Sequence, residues 1–271
     1  MSNKIAVISV SLNKKAILRL IESLLKQRDK NFRLYIVDIS GIDETLGTLP
    51  PETKIIKRSN KGYAYGVNEG LKEAVKDGLE KFCVINDDTY FDKDFIESVH
   101  KAITSHPNVL IGGKIYYASG YEYHKDRYAK KDLGKVLWYA GGEVNWLHSQ
   151  PKHIGVDELD TKQFDTAEET QFITGCLMIF DKEVVEKLGF WDESYFLYYE
   201  DADYCERAKR AGLKLFYDPS VVIWHMVSQS TDGSGSDMHR KYQRKNLMKF
   251  AMKYAPLRTK LHVLKNSLSG N

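Results

Sequence analysis

Cysteine is scarce in this chain: Cys83, Cys176 and Cys205 are its only thiols in 271 residues. Their wide separation offers neither the paired spacing of a zinc site nor a disulfide framework, so a reducing compartment, the cytoplasm, is expected. Long apolar runs are missing too. Ile5 to Val10 and Val221 to Trp224 span a handful of residues each, far below the roughly 20 that a membrane-crossing helix requires. The start, MSNKIAVISV, lacks the basic leader, long apolar middle and small-residue cleavage site of a secretory signal. Internal repeats are absent, and no stretch interleaves aromatic and basic residues as a nucleic-acid reader does, so nucleic acid is not an expected partner.

One region has no acid at all. From His239 to Asn271 there are nine of the 40 Lys and Arg and no Asp or Glu, which leaves 31 basic against 37 acidic residues elsewhere. The C-terminal end alone makes the protein basic. What the chain does have is 42% hydrophobic residues, enough at this length to bury a sizeable core.

Ile5 to Leu12 reads as a strand, and Asn13 as the N-cap of a helix that carries Ile17, Leu20, Ile21, Leu24 and Leu25 on one face. Phe32 to Val37 is a second apolar strand ending at Asp38, and Lys54 to Lys57 a short third. A Gly-rich segment then leads into a helix with Val67, Leu71, Ala74 and Val75 inward. Strand Phe82 to Ile85 and a helix with Phe95, Ile96, Val99 and Ile103 follow. This order predicts an α/β fold with an open, mostly parallel sheet. Ile115 to Gln171 reads as an irregular covering region, Phe172 to Phe180 as a strand, and a helix is expected to begin near Asp201 and close at Gly212. Leu213 to His225 reads as two short strands, and Ser228 to Asp237 has a loop's composition.

In such sheets ligands collect outside the carboxyl ends of the strands. Asp38 and the Asn86-Asp87-Asp88 group stand at such ends. Adjacent acids there read either as solvated turn residues or as oxygen ligands for Mg²⁺ or Mn²⁺. Gly62, Gly66 and Gly70, interspersed with Asn60 and Asn68, permit close backbone approach before a helix N-terminus, which suits phosphate contact. Glu200, Asp201 and Asp203 fit a helix N-terminus by capping and dipole. The aromatic approach YFLYY equally suggests partial burial, which raises the proton affinity of a carboxylate and tunes a general base. His225, after Trp224, reads as a structural histidine, or as a metal ligand if it lies near Asp88. The last residues, with Leu257, Leu261, Leu264 and Leu268 flanked by Arg258, Lys260 and Lys265, read as a solvated basic helix or as a peripheral attachment to an anionic membrane.

In fixed order the chain carries SVSLN, Asp38, NKGYAYGVNEG, INDDTYFDKDF, YAGGEVNW, FITGCLMIF, GFWDESYFLYYEDADYCERAKRAG, VVIWHMVSQST and YQRKN. Together these resemble the family-2 glycosyltransferases and, within them, the rhamnosyltransferase-like branch, over Ile5 to about Tyr254. The resemblance implies a GT-A fold, with a Rossmann-like, mostly parallel central sheet flanked by helices, an acceptor-side extension and C-terminal helices. It implies one domain over 1–254, divided into a nucleotide-binding half (1–113), a metal and acceptor half (114–238) and a packing helix (239–254). A basic amphipathic tail, 255–271, follows.

The same resemblance implies an inverting transfer from a nucleotide-sugar, dTDP- or UDP-linked, with Mg²⁺ or Mn²⁺. Ser11, Asn13, Asp38, Asn60, Gly62, Asn68, Asp87 and Arg244 are then expected at the nucleotide and its diphosphate, Asp88 and His225 at the metal, and Asp201 as base. Trp146, Thr174, Trp191, Asp192 and Glu200 are expected at the sugar or acceptor. The acceptor is expected to be an oligosaccharide, polysaccharide or lipid-linked glycan, and the enzyme cytoplasmic, touching the inner face of the plasma membrane through its tail. The loop at 228–237 is expected to order over the donor. Asn86 replaces the usual first acid, removing one charge from the metal shell, and DISGID departs from the usual Asp-Asn-Gly-Ser-x-Asp.

Three rivals differ in what they need. A sugar nucleotidyltransferase typically has a Gly-rich basic loop after the first strand, which SVSLNKKA lacks. A glycosidase uses paired acids without nucleotide motifs. A non-catalytic glycan-binding relative would tolerate Asn86 and have no activity for Asp201→Asn to abolish.

Overall fold

The computed structural model describes residues 3–41, 46–227 and 237–268. Its first half contains β1 (Ile5–Ser11), α1 (Lys14–Leu25), β2 (Phe32–Asp38), β3 (Lys54–Lys57), α2 (Tyr63–Lys76), β4 (Lys81–Ile85), β5 (Thr89–Tyr90) and α3 (Phe95–Ser105). The second half contains β6 (Leu110–Tyr117), β7 (Leu137–Tyr139), β8 (Gly142–Asn145), β9 (Gln150–His153), β10 (Glu168–Glu169) and β11 (Leu177–Asp181). It continues through α4 (Lys182–Leu188), α5 (Glu200–Arg210), β12 (Leu215–His225), α6 (Asp237–Tyr254) and α7 (Leu257–Leu268).

The main sheet runs β10-β12-β6-β11-β4-β1-β2-β3. Strands β3, β2, β1 and β4 are parallel, β11 is antiparallel to β4 and β6, and β12 is parallel to β6. The expected α/β fold is therefore the one observed, with a mixed sheet whose β3-β2-β1-β4 part is parallel. Both faces are covered. Ile5 and Val7 of β1 join an apolar cluster with α1 and α3, whereas Ala6, Ile8 and Val10 join another with α2 and α5. Burial on two faces is why these strands read as unbroken apolar runs. Emptying one such site, as in Phe82→Ala, costs about 3–5 kcal/mol.

Three local expectations are corrected. The strand expected over 172–180 is β11, Leu177–Asp181, because a turn at Gly175 and Cys176, closed by Leu177 N on Thr174 O, starts it at the carboxyl end of β4. The two short strands expected over 213–225 are one strand, β12, whose pairing shifts between Asp218 and Val222, around Pro219. The region from Ile115 is less irregular than its composition suggests: it includes the end of β6 and a β8–β9 hairpin. Strand β6 escapes a pattern reading because Gly112, Gly113 and Lys114 interrupt its apolar run. Gly113 lies against Val221 O, and Lys114 is buried in an ion pair with Asp160.

The C-terminal end is a helix pair. Val263 of α7 clusters with Ala251 of α6 and Ala255, and Thr259 Oγ1 donates to Trp146 O at 2.8 Å. Among the described residues no helix is long and apolar enough to cross a membrane.

Candidate active site

Register brings the polar strand ends together. Ser11 pairs with Asp38 at the shared carboxyl end of β1 and β2. In the next loop over, Leu12 N lies 3.4 Å from Asp87 Oδ2. Beyond β4, the Thr89 hydroxyl donates to Asn86 O and closes a turn that places Asp88. Strand β5 then pairs with the end of β12, Thr89 opposite His225, and Met226 N donates to Asp88 O. Two residues far apart in sequence are thereby set side by side.

Asp88 and His225 are 2% and 6% exposed. His225 Nε2 stands 3.1 Å from Asp88 Oδ1, but the approach is not aligned as a hydrogen bond: Asp88 Oδ1 and His225 Nδ1 are both buried without a hydrogen-bond partner. Trp138 presents its ring edge-to-face to His225 and to His153, with centroids 4.5 and 4.4 Å away. Burial opposes a charge on His225, yet Cys176 and Asp88 together hold its pKa well above the usual imidazole value. Burial raises the Cys176 thiol as well, so that thiol is uncharged near neutral pH and Asp88 is the effective partner.

This donor set fits a divalent cation. Two ligands about 2.1 Å from an octahedral ion, in adjacent positions, lie about 3 Å apart, which is the spacing of Asp88 Oδ1 and His225 Nε2. One carboxylate and one imidazole suit Mn²⁺ better than Mg²⁺. Among the described residues no third His, Cys, Asp or Glu completes a cluster, and substrate phosphate oxygens are the usual further ligands of such an ion.

The Thr174–Cys176 turn connects this pair to the acid cluster. Asn86 N donates to Cys176 O, and Gly175 N donates to Asp201 Oδ2 at 2.9 Å. Tyr63 Oη donates to Gly175 O at 2.9 Å from the opposite side. A Cβ at Gly175 would make ordinary contact with Asp201, Trp191 and Tyr63 at 3.4–3.5 Å. Asp201, partly exposed, also accepts Ala202 N at 2.8 Å. Burial raises its pKa against these two bonds. Glu200 is buried with Oε2 unbonded, and burial plus the charge of Asp201 push its pKa well above the carboxylate range. Asp88, His225 and Asp201 thus border one turn.

Other expected residues have surroundings of their own. Asn68 does not face the strand-end crevice. It is buried, its Oδ1 accepting Trp191 N and its Nδ2 donating to Trp191 O and Glu193. Trp191, expected against sugar, is 2% exposed and stacks on Tyr204. Asp192, expected at the acceptor, accepts from Ser194 and pairs with Lys249 and Lys253. Its pKa falls to about 2: burial opposes that shift, and the Ser194 bonds and Lys249 outweigh it. Trp146 stacks one ring face on Phe250, and buried Thr174 accepts Cys176 N through its hydroxyl. Glycines 62, 66 and 70 serve packing: Cβ atoms on Gly62 and Gly66 would stand 2.7 Å from Phe196 Cα and 2.6 Å from Val10 Cγ1, and one on Gly70 would press into Ile8.

Asn13 caps α1 through Lys15 N, Asn60 Oδ1 accepts Gly62 N, Asp38 Oδ1 accepts Ser40 N, and Arg244 is exposed on α6. Residues 228–236 of the loop expected over the donor lie outside the described residues. Sequence reasoning did not single out Tyr63, Trp138 or Gly175. The position of Gly175 inside the motif FITGCLMIF is the signal that pointed closest.

Comparisons with known proteins agree on the fold. The family profile described as "Glycosyl transferase family 2" matches residues 6–189. A curated relative from Haloferax volcanii, low-salt glycan biosynthesis hexosyltransferase Agl10, is 24% identical over 157 residues, 58% of this chain and 46% of that protein. The match thus spans about half the length of that relative. Among solved structures, GalNAc-T7 with UDP, GalNAc and Mn²⁺ superposes with a TM-score of 0.66 at 12% identity, over 92% of this chain and 47% of its own. Mannosyltransferase PcManGT from Pyrobaculum calidifontis, in complex with GDP-Man and Mn²⁺, gives 0.56 at 16% identity, over 97% and 69%.

Proposed function

The chain belongs to glycosyl transferase family 2 and has the GT-A fold, and from that premise we propose that it moves a sugar from a nucleotide-sugar to a hydroxyl with inversion at the anomeric carbon. The observation that carries the reading is the buried Asp88–His225 pair, in which Asp88 Oδ1 has no hydrogen-bond partner and stands 3.1 Å from His225 Nε2, beside the turn whose Gly175 N–H bonds Asp201. Asp88 and His225 would hold Mn²⁺ or Mg²⁺, which when bound supplies positive charge against the departing diphosphate.

The chain's own residues do the rest. Asp201, held by Gly175 and Ala202 N–H groups, accepts the proton of the acceptor hydroxyl as its oxygen bonds to the anomeric carbon. The bond from that carbon to the diphosphate oxygen breaks on the opposite face. Glu200 stays protonated beside it, so no second carboxylate charge competes for that proton. Ser11, Asp38 and Asp87, at the ends of β1, β2 and β4, face the nucleotide, and exposed Arg244 meets the diphosphate.

The donor proposed first is dTDP-rhamnose, on the motifs shared with the rhamnosyltransferase-like branch; a UDP-sugar is the second reading, since DISGID departs from the usual base-binding motif. The acceptor is a polysaccharide or lipid-linked glycan, and the enzyme works in the cytoplasm. Residues 1–254 form the catalytic domain and 255–271 a tail that touches the inner face of the membrane. Calorimetry with dTDP-rhamnose, UDP-glucose and GDP-mannose, each with and without Mn²⁺, tests this. Metal-dependent binding of a single donor is the expected result; no binding to any of the three overturns the reading.

A further inference from the structure

Helix α5, which carries Glu200 and Asp201, starts from an improbable turn. Tyr198 and Tyr199 have φ of 70° and 71° and are the only consecutive left-handed non-glycine residues among those described. Bulky L-residues avoid this region, and two in a row persist only where surrounding structure fixes them. The helix itself offers no help, since Tyr199 occupies its N-cap without a side-chain cap bond.

The fixing comes from α6, some 45 residues later. Asn246 is 1% exposed, and its Nδ2 donates to Leu197 O at 2.8 Å and Tyr198 O at 3.0 Å. These are the carbonyls of the residue before the left-handed pair and of its first member, and buried carbonyls without donors are costly. Neighbouring contacts bring α6 to the same segment: Phe250 packs on Tyr199, Tyr242 stacks on Phe196, and Lys249 lies 3.7 Å from the Tyr195 ring centroid. One turn into α5, Asp203 accepts from Lys253 and Tyr254. From the other side Tyr63 N donates to Phe196 O. From α6 it is the Asn246 amide that bonds two main-chain carbonyls of the turn.

We propose that Asn246 is a positioning residue, which holds the Tyr198–Tyr199 turn and thereby sets the first turn of α5 so that the Asp201 carboxylate meets Gly175 N–H and faces the acceptor. This rests on Asp201 being the base. Removing the amide frees the turn to relax, and α5 shifts against the Gly175 turn while the Asp88–His225 pair, on other elements, stays in place.

The test compares Asn246→Ala, Asp201→Asn and the double variant Asn246→Ala with Tyr198→Gly, assayed with the donor identified by calorimetry. Asn246→Ala should lower kcat about ten- to a hundredfold, leave donor KM unchanged and move the acid limb of the pH–rate profile upward as the Gly175 bond loosens. Glycine at 198, at ease with positive φ, should recover most of the lost kcat. Wild-type kcat, a loss confined to donor KM, or no recovery with glycine overturns the proposal. If Asn246→Ala does not fold, Asn246→Asp, which keeps the shape and removes both donated hydrogens, carries the same test. Retained turnover in Asp201→Asn overturns the assignment of the base instead.

Discussion

Glu200 and Asp201 are consecutive, but only one has its charge accommodated. Asp201 accepts Gly175 N and Ala202 N, at 2.9 and 2.8 Å, while Glu200 Oε2 is buried with no partner. Burial raises both pKa values, and the charge of Asp201 drives Glu200 further up. Of the two, Glu200 therefore holds a proton the more tightly.

Activity should divide the two residues. Asp201→Asn is expected to lower turnover by about 10²–10⁴, measured by release of the nucleoside diphosphate. Glu200→Gln, which mimics the protonated acid, should retain most of it. The acid limb of the wild-type profile should lie above the ordinary Asp range, because Asp201 must be deprotonated to act. Equal losses in both variants would contradict this ordering.

Stability should move with pH in a defined direction. Glu200 has an ordinary pKa of 4.5 and a folded value well above it, so folding favours proton uptake. Its contribution is fully present below pH 4.5 and is lost as pH rises through the folded pKa, where a charge must be buried. Glu200→Gln should consequently raise Tm relative to wild type more at pH 8 than at pH 4, each tenfold change in proton affinity on folding being worth about 1.4 kcal/mol. Parallel Tm curves for the two proteins across that range would contradict the buried-carboxyl assignment.

Metal affinity should depend on both members of the buried pair. Asp88→Asn and His225→Ala are each expected to weaken Mn²⁺ binding by at least about tenfold, or roughly 1.4 kcal/mol. Electron paramagnetic resonance of free Mn²⁺ reads this without substrate turnover. Wild-type affinity in both variants would place the ion elsewhere.

Asn68 should matter for the fold and not for the nucleotide. Asn68→Ala orphans the buried Trp191 N–H and carbonyl, at about 1–3 kcal/mol for such groups. A lower Tm with unchanged nucleotide Kd is the expected pattern; weaker nucleotide binding at full stability would restore Asn68 to the ligand.

These outcomes reflect what was legible in the chain. Apolar runs that stop at Asp38 and Asn86 announced strand ends, and the ends of parallel strands share an edge, so that part of the site followed from pattern. The Asp88–His225 contact did not, since it depends on β5 folding back onto the end of β12. Asn68 and the glycines of α2 read two ways because a residue that lets a helix approach a strand has the same sequence signature as one that lets a phosphate approach a backbone. Strand β6 was hidden by Lys114, whose charge is satisfied only by acids about 50 positions later.

The outer face of α7 gives the last prediction. Val263 and Thr259 are buried, whereas Leu257, Leu261 and Leu264 are 73%, 60% and 38% exposed, a stripe at helical spacing. Exposed Arg258 and Lys265 flank it, and the chain from His239 onward has no acid to oppose them. Apolar burial combined with attraction to anionic headgroups, about 1 kcal/mol per basic residue near the surface, describes a helix lying in the interface. The protein should float with vesicles of phosphatidylcholine and phosphatidylglycerol and stay behind with phosphatidylcholine alone. Leu257→Glu with Leu261→Glu should abolish flotation, and raised salt should weaken it by screening. If the wild type ignores anionic vesicles and instead sediments as a dimer that this double variant dissolves, the stripe is a contact between copies of the chain and the membrane assignment falls.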